Sequence, residues 1–193
     1  MKVIDILNNT DKPVFSFELV PPLKGGDINK IYEAIEPLIA LAPPFINITF
    51  HRDEVVYREY PDGTIKKVTV TKRPGSVALA AAIMRRYNVD MVPHIVCGGA
   101  TRHKIENELI DLNFLDIENV MALRGDPIPG ERFFTPEEGG HRYSCELVEQ
   151  ITRMNHGQYL DDTLTDTVPT NFCIGVAGYP EKHYEAPNQA CDI

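Results

Sequence analysis

Phe15-Ser16-Phe17-Glu18-Leu19-Val20-Pro21-Pro22-Leu23-Lys24-Gly25-Gly26 is an apolar run that carries one carboxylate and is broken by two prolines. Val14–Val20 reads as a strand, because Pro21-Pro22 cannot continue a ladder. A doubly wound nucleotide fold would place a G-x-G-x-x-G phosphate loop at this first turn. Val20–Gly26 has no such loop. Glu18 lies near the C-terminal end of the strand among Phe17, Leu19 and Val20. Apolar surroundings favour the protonated form of a carboxyl group, the form a general acid needs. The plainer alternatives are a glutamate facing solvent or one paired with a buried arginine.

The same alternation continues outward. Asp27 caps a helix whose Ile28, Ile31, Ile35, Leu38 and Ile39 fall three or four apart. Phe45–Phe50 is a second strand, Val77–Tyr87 a helix opened by Ser76, and Met91–Val96 a third strand. Thr101 starts a helix with Ile105, Leu109 and Leu112, followed by strand Asn119–Leu123, helix Ser144–Met154 and strand Phe172–Ala177. Asn188–Ile193 reads as the start of one more helix. Between the second strand and Ser76, residues 52–74 read as a β-hairpin insertion, with Tyr60-Pro61-Asp62-Gly63-Thr64 as its turn.

Repeated β-α units specify parallel strands covered by helices. Glu18, Thr49, His94, Arg124-Gly125-Asp126 and Tyr179 each sit at or just beyond a strand's C-terminal end. Barrel enzymes gather their chemistry on that rim. The expected fold is therefore an α/β (β/α)8 TIM barrel. A complete one takes about 250 residues, so the chain is read as its first five β/α units, one partial domain over residues 1–193. Taken singly, the rim residues are ambiguous: His94 could be a satisfied core histidine, Thr49 a plain strand residue, and Arg-Gly-Asp a surface turn.

Composition narrows the class. With 19 basic against 28 acidic residues the formal charge is −9, which argues against a general nucleic-acid or anionic-membrane surface. The apolar runs are of strand length, and Met1-Lys2-Val3-Ile4-Asp5 does not begin a secretory signal. A cytoplasmic location is expected. Cys97, Cys145, Cys173 and Cys191 are far apart without a C-x-x-C pair, so neither a metal site nor a disulfide framework is expected.

Five segments together are similar to the catalytic domain of the methylenetetrahydrofolate reductase family. They are Phe15–Pro22, Asn47-Ile48-Thr49-Phe50, Pro93-His94-Ile95-Val96-Cys97, Ala122-Leu123-Arg124-Gly125-Asp126-Pro127 and Gly178-Tyr179-Pro180-Glu181-Lys182-His183. The resemblance implies a barrel that holds FAD at its C-terminal rim and uses NAD(P)H to reduce 5,10-methylenetetrahydrofolate to 5-methyltetrahydrofolate in one-carbon metabolism. Glu18 matches the catalytic acid, which protonates the folate N10. Asp126 matches the aspartate near flavin and pterin. Phe50, His94, Arg124, Gly125, Ser144, Tyr179, His183, Ala186 and Asp192 match flavin-binding positions, and Thr49 lies near the nicotinamide. The resemblance also implies a homo-oligomer when full length and a segment that is inactive without the remaining strands. Two other classes are set beside it: a flavin-free pterin-binding barrel methyltransferase, and an inactive truncated binding module. At one point the chain departs from the family, which often has Tyr or Trp and then Gly after the strand-two threonine. Here Phe50-His51 leads into the insertion.

Overall fold

The computed structural model describes residues 1–128, 130–178, 181–183 and 185–188. A short helix, α1 (Val3–Asn8), precedes strand β1 (Phe17–Leu19), helix α2 (Ile28–Ile39) and strand β2 (Phe45–Ile48). A hairpin of β3 (Glu54–Glu59) and β4 (Ile65–Val70) follows, then α3 (Ser76–Tyr87), β5 (Asp90–Val96), α4 (Arg102–Phe114), β6 (Asn119–Leu123), α5 (Ser144–Met154) and β7 (Cys173–Val176).

The main sheet has five parallel strands in the order β1-β2-β5-β6-β7, and β3 pairs only with β4, antiparallel. Each new β/α unit is added to the same edge, so the strand order never reverses. A doubly wound sheet has such a reversal and binds its ligand there. With right-handed crossovers, growth in one direction places successive helices on one face. The core follows this rule. Ile46, Ile48, Met91, Ile95, Val120 and Ala122 from the strands pack with Ile35, Leu79, Ile83, Ile105, Leu109, Leu112, Leu147 and Ile151 from α2–α5. Twelve of the largest side chains of the core are almost wholly buried, and each stabilises the fold by about 2 kcal/mol.

Local chemistry sets the helix ends. Asp27 accepts a hydrogen bond from Asn29 N (2.9 Å) at the start of α2, and Thr101 Oγ1 accepts one from Lys104 N (3.2 Å) at the start of α4. Glu146 in the first turn of α5 accepts from the backbone N–H of Arg142 (2.7 Å) and Tyr143 (3.4 Å). Asn88 ends α3 in the left-handed region, at φ 52°, a conformation Asn tolerates better than most residues.

Several strand ends differ from the sequence reading. Strand β1 spans Phe17–Leu19 rather than Val14–Val20, β2 stops at Ile48 rather than Phe50, β5 starts at Asp90 rather than Met91, β7 spans Cys173–Val176 rather than Phe172–Ala177, and the sequence reading contains no α1. With six residues and none of them buried, α1 has too little apolar periodicity to be read from sequence. Tertiary bonds place it instead. Asn119, at the start of β6 and only 3% exposed, accepts from Val3 N (2.8 Å) and donates Nδ2–H to Met1 O (3.0 Å). The amino group of Met1 meets Asp90 at 2.6 Å, and Lys2 Nζ meets Asn171 at the same distance. The N-terminal segment is thus fastened beneath the N-terminal ends of β5, β6 and β7. The expected start of a helix at Asn188–Ile193 falls mainly on residues outside those described. Asn119→Ala removes both bonds at a buried position and is expected to lower unfolding free energy by about 2 kcal/mol. Lys2→Ala, at an exposed contact, should change it by less than about 0.5 kcal/mol; urea titration of both variants checks the contrast.

Candidate functional site

Register assigns the candidate residues to faces. Glu18 is level with Asn47, which is level with Val92, and His94 is level with Met121 and two residues beyond Val92. Side chains alternate along a strand, so Glu18, Asn47, His94 and Met121 share the face opposite the helices. Phe17 and Leu19 point the other way, towards the helix layer. This alternation corrects the expectation of a desolvated Glu18, whose side chain is 57% exposed despite its apolar sequence neighbours.

The structure brings Glu18 to His94. Glu18 Oε2 lies 3.7 Å from His94 Nε2, too long for a hydrogen bond. His94 is buried, and burial pulls its pKa below the ordinary 6.5, an effect the Glu18 carboxylate partly offsets. His94 is therefore a neutral imidazole near pH 7. Among the described residues its Nε2 has no hydrogen-bond partner, and neither does the buried Oδ1 of Asn47 on the same face. Buried polar atoms are seldom left unpaired, so two of them on a helix-free face beside a carboxylate mark a surface suited to a polar ligand.

The rim loops hold the other candidates. Thr49 follows β2 and is bound to Leu19 O through its backbone N–H (3.0 Å) and its hydroxyl (3.3 Å); its Oγ1 also lies 3.2 Å from His51 Nε2. Phe50 beside it is half-buried. Beyond β6, Arg124 is held by Glu185 (3.1 Å) and lies over the Phe134 ring, 5.4 Å from its centre. Gly125 has φ +85°, and a Cβ there would come within 2.6 Å of Val96 Cγ1. Glycine is required at this point for both reasons. Asp126 is exposed, and its carbonyl accepts from Arg52 Nη1 at 3.2 Å.

Ser144 opens α5 and is half-buried. The preceding Tyr143 carbonyl accepts from Cys97 Sγ at 3.7 Å, which ties this helix end to the end of β5. Burial pushes the Cys97 thiol up to about 12, so it packs as a small apolar group and is no nucleophile. His141 in the same loop pairs with Gln150 (2.5 Å), and Gln150 donates to Arg102 O (3.0 Å). His183 Nδ1 accepts from Glu185 N (3.2 Å), and Ala186 N donates to His183 O (3.0 Å). Through Glu185, this segment reaches Arg124. Tyr179 and Asp192 lie outside the described residues. Among the described residues, no group of three or more His, Cys, Asp or Glu side chains comes together in a way that could hold a metal. Among the described residues, no helix is long and apolar enough to cross a membrane.

Sequence reasoning missed several members of this rim. Asn47 looked like an ordinary strand residue, Arg52 fell inside the insertion, and Glu185 lay in a polar tail. Phe134 gave a usable signal, as half of a Phe133-Phe134 pair in an otherwise polar loop, only 6% exposed in the fold.

The family model described as methylenetetrahydrofolate reductase matches residues 2–193. The chain is 29% identical over 186 residues to methylenetetrahydrofolate reductase (NADH) 1 of Arabidopsis thaliana, covering 95% of this chain and 26% of that protein. It is 30% identical over 185 residues to methylenetetrahydrofolate reductase 1 of Schizosaccharomyces pombe, covering 94% and 26%. With the 5,10-methylenetetrahydrofolate reductase of Pectobacterium carotovorum it shares 24% identity over 180 residues, covering 92% and 47%. The chain thus spans about a quarter of the plant and yeast proteins and about half of the bacterial one. Matched over nearly its whole length, it belongs to the methylenetetrahydrofolate reductase family.

Proposed function

We propose that this chain forms the first five β/α units of a TIM-barrel reductase that converts 5,10-methylenetetrahydrofolate to 5-methyltetrahydrofolate at the expense of NAD(P)H. The observation that carries the reading is the placement of Glu18: an exposed carboxyl group on the helix-free face, 3.7 Å from a buried neutral histidine. Family membership supplies the substrate class.

The face fits a flat polar heterocycle. Asn47 Oδ1 and His94 Nε2 offer two polar atoms on it that have no hydrogen-bond partner among the described residues, and the Arg124–Asp126 loop follows β6 of the same sheet. FAD suits this surface, and when bound it supplies the two-electron relay from nicotinamide to folate. His94, Arg124, Gly125, Phe50, Ser144, His183 and Ala186 would hold it, with Tyr179 and Asp192. Gly125 lets the loop backbone pack against Val96, and Thr49 would lie near the nicotinamide.

Glu18 in its protonated form donates to the folate N10. The bond between N10 and the methylene carbon then breaks, the nitrogen keeps the electron pair, and the methylene carbon becomes an electrophilic iminium that can accept hydride. Asp126 orients the substrate's polar ring. The neutral His94 forms no full ion pair with Glu18. Ligands covering the open face supply the desolvation that the neighbours of Glu18 in sequence do not.

Two outcomes test this reading. Glu18→Gln in the full-length, flavin-loaded protein should slow folate reduction by about 10²- to 10⁴-fold, yet leave flavin reduction by NAD(P)H within about threefold. Stopped-flow absorbance separates the two half-reactions, and equal losses in both would reject the assigned role. The second outcome concerns His94. A histidine whose native pKa is depressed contributes stability that is complete above its unfolded value of 6.5 and is lost as pH falls through the native value. Urea midpoints should therefore drop between about pH 7.5 and pH 5, and His94→Gln should flatten part of that drop. His51, also depressed mainly by burial, supplies a second share, whereas Glu108, raised by burial, works in the opposite direction. A His94→Gln profile parallel to wild type would refute the neutral-imidazole assignment.

A further inference from the structure

The hairpin between β2 and α3 is fastened to the rim at both roots. At the first root, Arg52 Nη1 donates to Asp126 O at 3.2 Å. To reach it the side chain crosses the end of β5, passing glycines at close range. A Cβ on Gly98 would come within 3.4 Å of Arg52 Nη1, and one on Gly99 within 3.6 Å of Arg52 Cβ. At the second root, Arg73 Nη1 donates to Pro21 O, and Lys72 O accepts from Lys24 N at 2.8 Å. The hairpin strands themselves pair with no strand of the main sheet. Its roots therefore span the loops that follow β1, β5 and β6.

Those loops are not arbitrary. Pro21 lies just beyond Glu18, and the Asp126 carbonyl belongs to the second residue assigned to the chemistry. Neither Arg52 nor Arg73 has a carboxylate partner within ion-pair distance among the described residues. Each instead gives a charged donor to a backbone carbonyl, a bond stronger than a neutral one. We infer that Arg52 and Arg73 are positioning residues: the insertion works as a clamp that fixes the Glu18 and Asp126 loops relative to each other. The inference rests on the proposed site, and it assigns to the insertion a part in the folate half-reaction. In positioned chemistry, a displacement of about 1 Å costs about 10²-fold in rate.

Hydrogen exchange on the intact protein without added cofactor tests the clamp independently of activity. The Gly98 amide donates to Arg124 O at 3.1 Å and so reports on the loop after β6. Arg52→Ala should speed exchange at Gly98 and residues 124–128 by about tenfold or more, Arg73→Ala should do so at residues 21–26, and the two Lys variants should restore part of the protection. In the full-length holoenzyme, Arg52→Ala should lower folate-dependent kcat about tenfold or more, with the KM for NAD(P)H unchanged and Arg52→Lys partly restored. Asp62→Ala at the hairpin tip should leave both rates as in wild type. Unchanged exchange in both Ala variants overturns the clamp. Faster exchange with wild-type folate turnover overturns the positioning role while leaving the site reading intact. A wild-type protein with no folate turnover instead removes the site reading, and the clamp then stands or falls on exchange alone.

Discussion

Everything in this chain depends on the alternation of side chains along parallel strands that are covered by helices on one face only. Ile46, Ile48, Met91, Ile95, Val120 and Ala122 meet α2–α5 and form the core. The residues between them have no helix to meet. On a doubly wound sheet those positions would also be apolar and covered. Here they include Glu18, Asn47, His94 and Met121, brought level by the register of β1, β2, β5 and β6. One constraint thus builds the core and leaves polar side chains on the opposite face.

The fold was legible wherever local and tertiary preferences agreed. Helix Ser144–Met154 and strand Asn119–Leu123 were read with the bounds they have, and Asp27 and Thr101 cap the helices they were expected to cap. Legibility failed where partners far away in sequence decide. The short α1 is placed by Asn119, over a hundred residues downstream, and by Asp90. Strand β1 is shorter than its apolar run because only Phe17–Leu19 find partners in β2.

The candidate site was legible in where its residues fall along the strands more than in its electrostatics. Strand ends picked out Glu18, Thr49, His94 and Arg124–Asp126, but composition around a residue is a poor guide to its solvation. Glu18, among apolar neighbours, is exposed, whereas His94 two strands away is buried, with no hydrogen-bond partner for Nε2 among the described residues. Among these five strands the difference follows the neighbours each strand has. Strand β1 meets only β2, whereas β5 is flanked by β2 and β6. Flanking strands exclude water from the middle of a face before its edge. No window of sequence centred on Glu18 or His94 contains that information.

The hairpin takes the same reasoning one step further. Two antiparallel strands alone are marginally stable in water, and β3 and β4 find no third strand. Register with the main sheet therefore cannot hold them, so the roots must. Arg52 and Arg73 do so by bonding to backbone carbonyls, which are present whatever the side chain of the loop residue. Such an anchor leaves the Asp126 carboxylate uncommitted, whereas an arginine paired with that carboxylate would have neutralised it. The choice of carbonyl over carboxylate lets an element outside the β/α repeat attach to the rim without pairing with the Asp126 carboxylate.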